Sequence, residues 1–184
     1  MRCLTRIAAC LACAAVLGAP AEVRTATEDQ VRAGFLFQLA QYASWPADAY
    51  PSEASPLRFC VVGQDELVDN LEGIVSGKTI QGRANVIARV RDLGGLQGCH
   101  LAFIGWKRVS QLRDALARWS YPPILLVGEA AGFSEAGGMV NLIIRSGRVS
   151  FEINLEAAGR ARIEFRSQLL RFAHLVGAQT RGAR

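Results

Sequence analysis

Apolar positions recur along this chain with two alternating periods, and the switches between them mark out the elements. From Thr27 onward, Val31, Phe35, Leu39 and then Tyr42 or Ala43 return every three to four positions, the period of one helix face. Thr27 with Gln30 three places on matches a capping box. Trp45-Pro46 marks the end of that helix, because the residue before a proline is pushed out of the helical region. Pro46, Pro51 and Pro56 then punctuate a connecting loop.

Beyond the prolines, short runs rich in Val and Ile alternate with longer segments of helical period, the pattern of βαβ units in a mainly parallel sheet. Strands are predicted at residues 57–62, 84–90, 99–104 and 124–127, and helices at 65–75 and 109–119. Residues 139–144 and 149–153 flank Arg145-Ser146-Gly147-Arg148, whose Ser-Gly pair suits a tight antiparallel turn. A short helix from Leu155 follows. A final helix is expected from Ser167 through Val176, with Leu169, Phe172, Ala173 and Val176 on one face and Gly177 as its stop. The predicted fold class is α/β. It is a single domain with a mainly parallel sheet of about six strands, a C-terminal antiparallel hairpin and flanking helices in a Rossmann-like three-layer arrangement. Gly63, Gly105 and Gly128 each end a strand, and the carboxyl edge of such a sheet is where ligands usually sit.

Composition supports a folded domain: 184 residues, 51% hydrophobic and 20% charged, long enough for a real core, which excludes a disulfide miniprotein. Arg2 and Arg6, the apolar run 7–17 and then Ala19-Pro20-Ala21 read as a secretory signal over residues 1–21, cleaved before Glu22. Ile7-Ala8-Ala9-Cys10 is similar to a lipid acceptor site but leaves almost no apolar run before the cysteine, so lipidation is not expected. No later apolar run is long enough to span a bilayer, so the exported chain is not expected to be integral to one. The folded domain is placed at residues 22–177, with 178–184 a disordered tail. Losing Arg2 and Arg6 lowers the formal net charge from +5 to +3. A modest, dispersed basic excess on an exported protein gives no reason to expect nucleic-acid binding.

Cys3, Cys10 and Cys13 leave with the signal, and Cys60 and Cys99 remain. An even pair in an oxidising compartment suggests one disulfide. Closing a loop of about 40 residues would stabilise the fold by about 4 kcal/mol in the chain-entropy model. A zinc site is not expected, since there is no Cys-x-x-Cys and only His100 and His174 remain as soft ligands.

Catalytic patterns are weak. The glycine-containing loop 128–138 matches neither dinucleotide nor P-loop spacing, and Gly77-Lys78-Thr79 lacks the earlier glycine. His100, read as a strand residue, and His174, read as lying on the final helix, are near no nucleophile elbow. The carboxylates Glu152 and Glu156 carry no spacing that assigns them acid-base work. No catalytic residue, cofactor or metal is therefore assigned. Trp45, Trp106, Trp119, Phe35, Phe37 and Phe133 belong mostly to the core, and any that are exposed would anchor a protein partner.

Several segments together carry a resemblance. These are Ala33-Gly34-Phe35-Leu36-Phe37 leading to Trp45-Pro46, Leu57-Arg58-Phe59-Cys60-Val61-Val62-Gly63, Gly77-Lys78 to Gly82-Arg83, and Gly98-Cys99-His100-Leu101-Ala102-Phe103-Ile104-Gly105. They continue with Gly132-Phe133, Gly137-Gly138-Met139-Val140-Asn141-Leu142, Arg148-Val149-Ser150-Phe151-Glu152-Ile153-Asn154-Leu155 and Ser167-Gln168-Leu169-Leu170-Arg171. In this order the chain resembles the YfiR family of bacterial periplasmic proteins.

The resemblance implies inhibition of an inner-membrane diguanylate cyclase through its periplasmic sensor region, relieved when an outer-membrane lipoprotein sequesters the repressor. It also implies a homodimer, and it matches Cys60 and Cys99 to the family's disulfide pair. The resemblance also implies, for some relatives, a second cysteine pair near the hairpin, and this chain has none there. Glu152, Asn154, Phe133 and Trp106 are the candidate partner-binding residues, although Asn154 also fits the N-cap before Leu155, the favoured reading. The runner-up is a periplasmic small-ligand binder using the crevice near Gly63, Gly105 and Gly128. A hydrolase working through His100 or His174 is the third class.

Overall fold

The computed structural model describes residues 26–120, 122–146 and 148–177. The expected signal segment and the C-terminal tail lie outside the described residues. In chain order the elements are α1 (Glu28–Tyr42), β1 (Ala43–Ser44), β2 (Leu57–Val62), α2 (Asp65–Val75), β3 (Thr79–Ile80), β4 (Arg83–Val90), β5 (Leu101–Ile104) and α3 (Val109–Leu116). There follow β6 (Leu125–Gly128), β7 (Val140–Arg145), β8 (Arg148–Asn154), α4 (Leu155–Arg160), β9 (Glu164–Phe165), α5 (Ser167–Leu170) and β10 (His174–Val176).

The main sheet has eight strands in the order β10-β8-β7-β6-β5-β2-β4-β3. Its central strands β4, β2, β5, β6 and β7 are parallel. β8 turns back antiparallel on β7, Arg145 opposite Arg148, and β10 lies parallel to β8 at the outer edge. β3 closes the other edge antiparallel to β4, and β1 and β9 form a separate two-stranded ribbon. β5 and β6 are apolar on both faces: Leu101, Phe103, Leu125 and Leu126 are fully buried, as strands covered on both sides must be, whereas β4, nearer the edge, is partly exposed. α1 packs on α2 and α5, and α2 lies against β2 and β4. The chain leaves β2 in one direction to reach β4 and then crosses to β5 on the other side. The switch point of the sheet is therefore the cleft between the carboxyl ends of β2 and β5.

The first helix begins as expected: Thr27 accepts from Gln30 N while Gln30 Oε1 accepts from Thr27 N, a complete capping box. β2 and α2 fall on the predicted residues, and the hairpin is present. Cys60 on β2 and Cys99 just ahead of β5 are joined in a disulfide, with Cα atoms 6.0 Å apart.

Three expectations are corrected. The sheet has eight strands because the two-residue β3 and the three-residue β10 extend its edges, pieces too short to show a period. α3 stops at Leu116, where the chain tightens: Arg118 N donates to Ala115 O and Trp119 N to Leu116 O, a last turn of three-residue spacing. The expected helix from Ser167 to Val176 is α5 for four residues only. After the turn at Phe172 and Ala173 the chain extends, because the free edge of β8 offers Glu152, Ile153 and Asn154 as ladder partners. His174 accordingly lies on β10, exposed, rather than on a helix.

Candidate functional site

The carboxyl edge of the sheet gathers charge. Arg32, on α1, donates from Nε to Glu129 Oε2 at 2.7 Å, from Nη1 to Asp29 at 2.8 Å and from Nη2 to Glu28 at 2.9 Å. Glu129 follows directly on β6. It also accepts from Lys107, beyond β5, and from Gln64 Nε2, beyond β2, at 3.2 Å. One carboxylate thus ties together α1 and the ends of three adjacent strands. The Arg32 and Glu129 side chains are only 12% and 11% exposed, so this pair is screened less than an ordinary surface ion pair. Burial works to raise the Glu129 pKa, but the hydrogen bonds from Lys107 and Arg32 outweigh it and hold the carboxyl below its ordinary range. Burial likewise opposes the Arg32 charge, and its carboxylate partners more than offset that and raise its pKa.

Beside this node a cleft of about 290 Å³ is lined by Arg32, Glu129, Asn141, Arg145 and Glu152 among others. Asn141, on β7, donates from Nδ2 to Glu152 Oε2 at 2.9 Å. Its Oδ1 is buried without a partner.

The candidate residues fall into two groups. Glu152 lines this cleft, and Trp106 stands half-buried at the switch point, where a Cβ on Gly63 would sit 3.9 Å from its Cδ1. Phe133 is 1% exposed and offers no surface to a partner. Its ring fills the space beside Gly128 and Gly138, where added Cβ atoms would come within 2.3 and 2.1 Å of it. Asn154, 8% exposed, is also internal. Its Oδ1 caps α4 by accepting from Ala157 N at 2.9 Å, and its Nδ2 donates to Ser134 O at 2.8 Å. Phe133 and Asn154 together hold the glycine loop down, so their work is structural.

His100 sits at the opposite ends of the strands. Arg58 N donates to its Nδ1 at 3.0 Å, leaving the proton on Nε2 to be donated to Ala49 O at 3.2 Å. Trp45 Nε1 donates to the His100 carbonyl at 2.8 Å, and the Tyr50 ring stacks on the imidazole at 4.4 Å. Arg83 covers the other face of Tyr50 at 3.7 Å and donates to the carbonyls of Ser52, Glu53 and Ser55. Both ring nitrogens of His100 are thus occupied in fastening the proline loop to the sheet. Burial lowers its pKa, with the charges of Arg83 and Arg58 adding to that effect against the hydrogen bond to Ala49. His100 and His174 lie apart, one at the strands' amino ends and the other on the edge strand.

Arg32, Glu129, Lys107 and Gln64 escaped the reading of the sequence as a group. Arg32 and Glu129 are separated by 97 positions, and only the local signal was available: acids three and four residues before Arg32, and an acid directly after a strand-ending glycine. Among the described residues no cluster of His, Cys, Asp or Glu could hold a metal ion, and no helix is long and apolar enough to cross a membrane. The family model for YfiR/HmsC-like proteins matches residues 29–174.

Proposed function

This chain belongs to the YfiR/HmsC-like family, and on that premise we propose that it is a periplasmic, non-catalytic regulator of an inner-membrane diguanylate cyclase. It binds the cyclase's periplasmic sensor region and lowers cyclic di-GMP, and an outer-membrane lipoprotein relieves the repression by sequestering it. A soluble partner shifts a membrane sensor only by its differential affinity for the sensor's two states, so the chain needs a rigid recognition surface and no reacting group. The observation that carries this reading is the family match, which runs from the first turn of α1 to the start of β10 and so takes in nearly the whole described fold. The buried Cys60–Cys99 bridge supports the compartment, because disulfides persist where the surroundings are oxidising.

The small-ligand reading is not favoured at the strand ends. Phe133 occupies the space beside Gly128, and Gln64 and the Val62 carbonyl crowd Gly105. Of the residues expected to bind a partner, Trp106 and Glu152 remain available at the carboxyl edge, whereas Phe133 and Asn154 are committed internally.

The test is cellular cyclic di-GMP in a deletion strain complemented by the full chain or by a version lacking residues 1–21. The expected outcome is a rise on deletion that only the exported form reverses. Unchanged cyclic di-GMP, with the protein present in the parent strain, would overturn the reading.

A further inference from the structure

The four exposed large hydrophobic side chains among the described residues are not scattered. Val149, Phe172 and Leu175 gather at one edge of the main sheet, and only Val86 lies elsewhere, on β4. That edge is β10, which pairs with β8 on one side and, among the described residues, has no neighbour on the other. Half of its backbone N–H and C=O groups therefore face outward. Phe172, in the turn leading into β10, is 78% exposed, Leu175 49% and Val149, near the start of β8, 44%. Long exposed edges with apolar side chains are normally blunted. Here the protection is the strand's length of three residues and charge of one sign.

Arg148 opens β8, Arg145 faces it across the hairpin, and Arg171 stands just ahead of β10. Because β8 and β10 run parallel, Arg148 and Arg171 lie at the same end of the pair. All three arginines are exposed, with no carboxylate partner among the described residues.

We propose that this edge docks an extended segment of a protein partner, acidic and apolar in alternation, which adds a strand beside β10. Such addition takes affinity from main-chain hydrogen bonds and specificity from alternate side chains. The open ladder selects this occupant. A lipid surface could receive Phe172 but could not satisfy the outward N–H and C=O groups in its apolar layer. A second copy added about a two-fold axis would run antiparallel, leaving each Arg171 at an opposite end of the seam with its charge unmatched. The chain's own last residues, Ala-Gln-Thr-Arg-Gly-Ala-Arg, bring further positive charge and no large apolar side chain. The inference rests on the regulator reading only for what the docking does in the cell.

The test titrates the full exported chain with two synthetic peptides, one alternating valine and glutamate, the other valine and lysine, following hydrogen exchange at residues 174–176. The expected result is binding of the glutamate peptide alone, with slowed exchange of the outward amides. Phe172→Glu is expected to weaken it about tenfold or more while leaving the melting temperature unchanged, since the side chain is exposed. The double variant Arg148→Glu, Arg171→Glu is expected to prefer the lysine peptide. Binding of neither peptide, binding indifferent to these substitutions, sedimentation with phosphatidylglycerol vesicles instead, or a dimer dissolved by Phe172→Glu would each overturn the proposal. In the deletion strain the two readings separate. Loss of peptide binding with cyclic di-GMP still lowered by the wild type removes the docking edge alone. Peptide binding with cyclic di-GMP unmoved removes the regulator alone.

Discussion

His100 is one residue at which pH reaches the fold. Its imidazole must be neutral for Nδ1 to accept from Arg58 N, and burial lowers its pKa below the ordinary 6.5. Above that value the ring is neutral in both folded and unfolded chains, and its contribution is complete. As pH falls below 6.5 the unfolded chain takes the proton first, and stability is lost progressively until the folded ring titrates as well. Urea midpoints measured across this range should fall with pH in the wild type. In His100→Asn, which keeps a side-chain acceptor but cannot titrate, the slope should flatten; an unaltered slope would show that His100 is not its source. Phe133 makes a second prediction at this scale. Phe133→Ala should cost about 3–5 kcal/mol, as emptying a core aromatic site does, and a calorimetric melt would read it. Gly138→Ala should be destabilising in the wild type, because its Cβ would meet the ring at 2.1 Å, and much less so when Phe133 is already alanine. That coupling is the signature of direct contact, and additive losses would deny it.

Elements are joined here by a few polar side chains acting at their ends. Asn154 caps α4 and holds the glycine loop through Ser134 O. Asn154→Ala should therefore cost about 1–3 kcal/mol of stability, and Asn154→Asp, which keeps the cap acceptor and loses the donor, should cost less. Stability unchanged in both variants would free Asn154 for recognition instead. Glu129 joins α1 to the ends of β2, β5 and β6. Its folded pKa is lowered, so its contribution is full above the ordinary carboxyl value of 4.5 and is lost as pH falls through the folded value. Glu129→Gln should remove this acid loss while leaving the higher-pH loss from His100 in place, which two-variant denaturation curves against pH would separate. The sequence made the elements with strong local signals legible. β2 and α2 could be placed to the residue because an apolar run broken only at Arg58 and a clear helical face sit between a proline and glycines. It misled at the last helix, where Leu169, Phe172, Ala173 and Val176 keep helical spacing but the free edge of β8 draws residues 174–176 into a ladder. It was silent on the Arg32–Glu129 node, whose two halves meet only after the whole sheet has formed, while the cap at Asn154 was legible because capping is local.

At the scale of the molecule, the disulfide crosses between β2 and the entry to β5, the two strands that flank the switch point. It closes 39 positions of chain, so that α2, β3 and β4 all lie within the loop it forms. Those elements supply the β4–β3 edge of the sheet and the helix against it, and in the oxidised chain the loop that carries them is closed covalently. Restricting a loop of this length in the unfolded chain is worth about 4 kcal/mol in the chain-entropy model, a large share of the roughly 5–15 kcal/mol by which domains are usually stable. Cys60 and Cys99 are 1% and 5% exposed, so exchange with an external thiol requires the structure to open first. A chain with both cysteines replaced by alanine, or synthesised in a reducing compartment, should thus melt well below the oxidised protein. The native oxidised protein, by contrast, should resist reductant until denaturant is added. Melting temperatures of the two forms, with thiol labelling in the absence and presence of urea, would check both statements. Rapid labelling of native protein after brief exposure to reductant would place the bridge on a mobile surface rather than in the core. The consequence reaches the proposed recognition surfaces as well. Trp106 and the Glu129 node are carried on strand ends whose spacing the bridge helps to fix, whereas β10 lies at the far edge, with β6, β7 and β8 between it and β5. Reduction should therefore disturb the carboxyl edge before it disturbs the β10 edge, and hydrogen exchange on the reduced protein should quicken first at β2, β4 and β5.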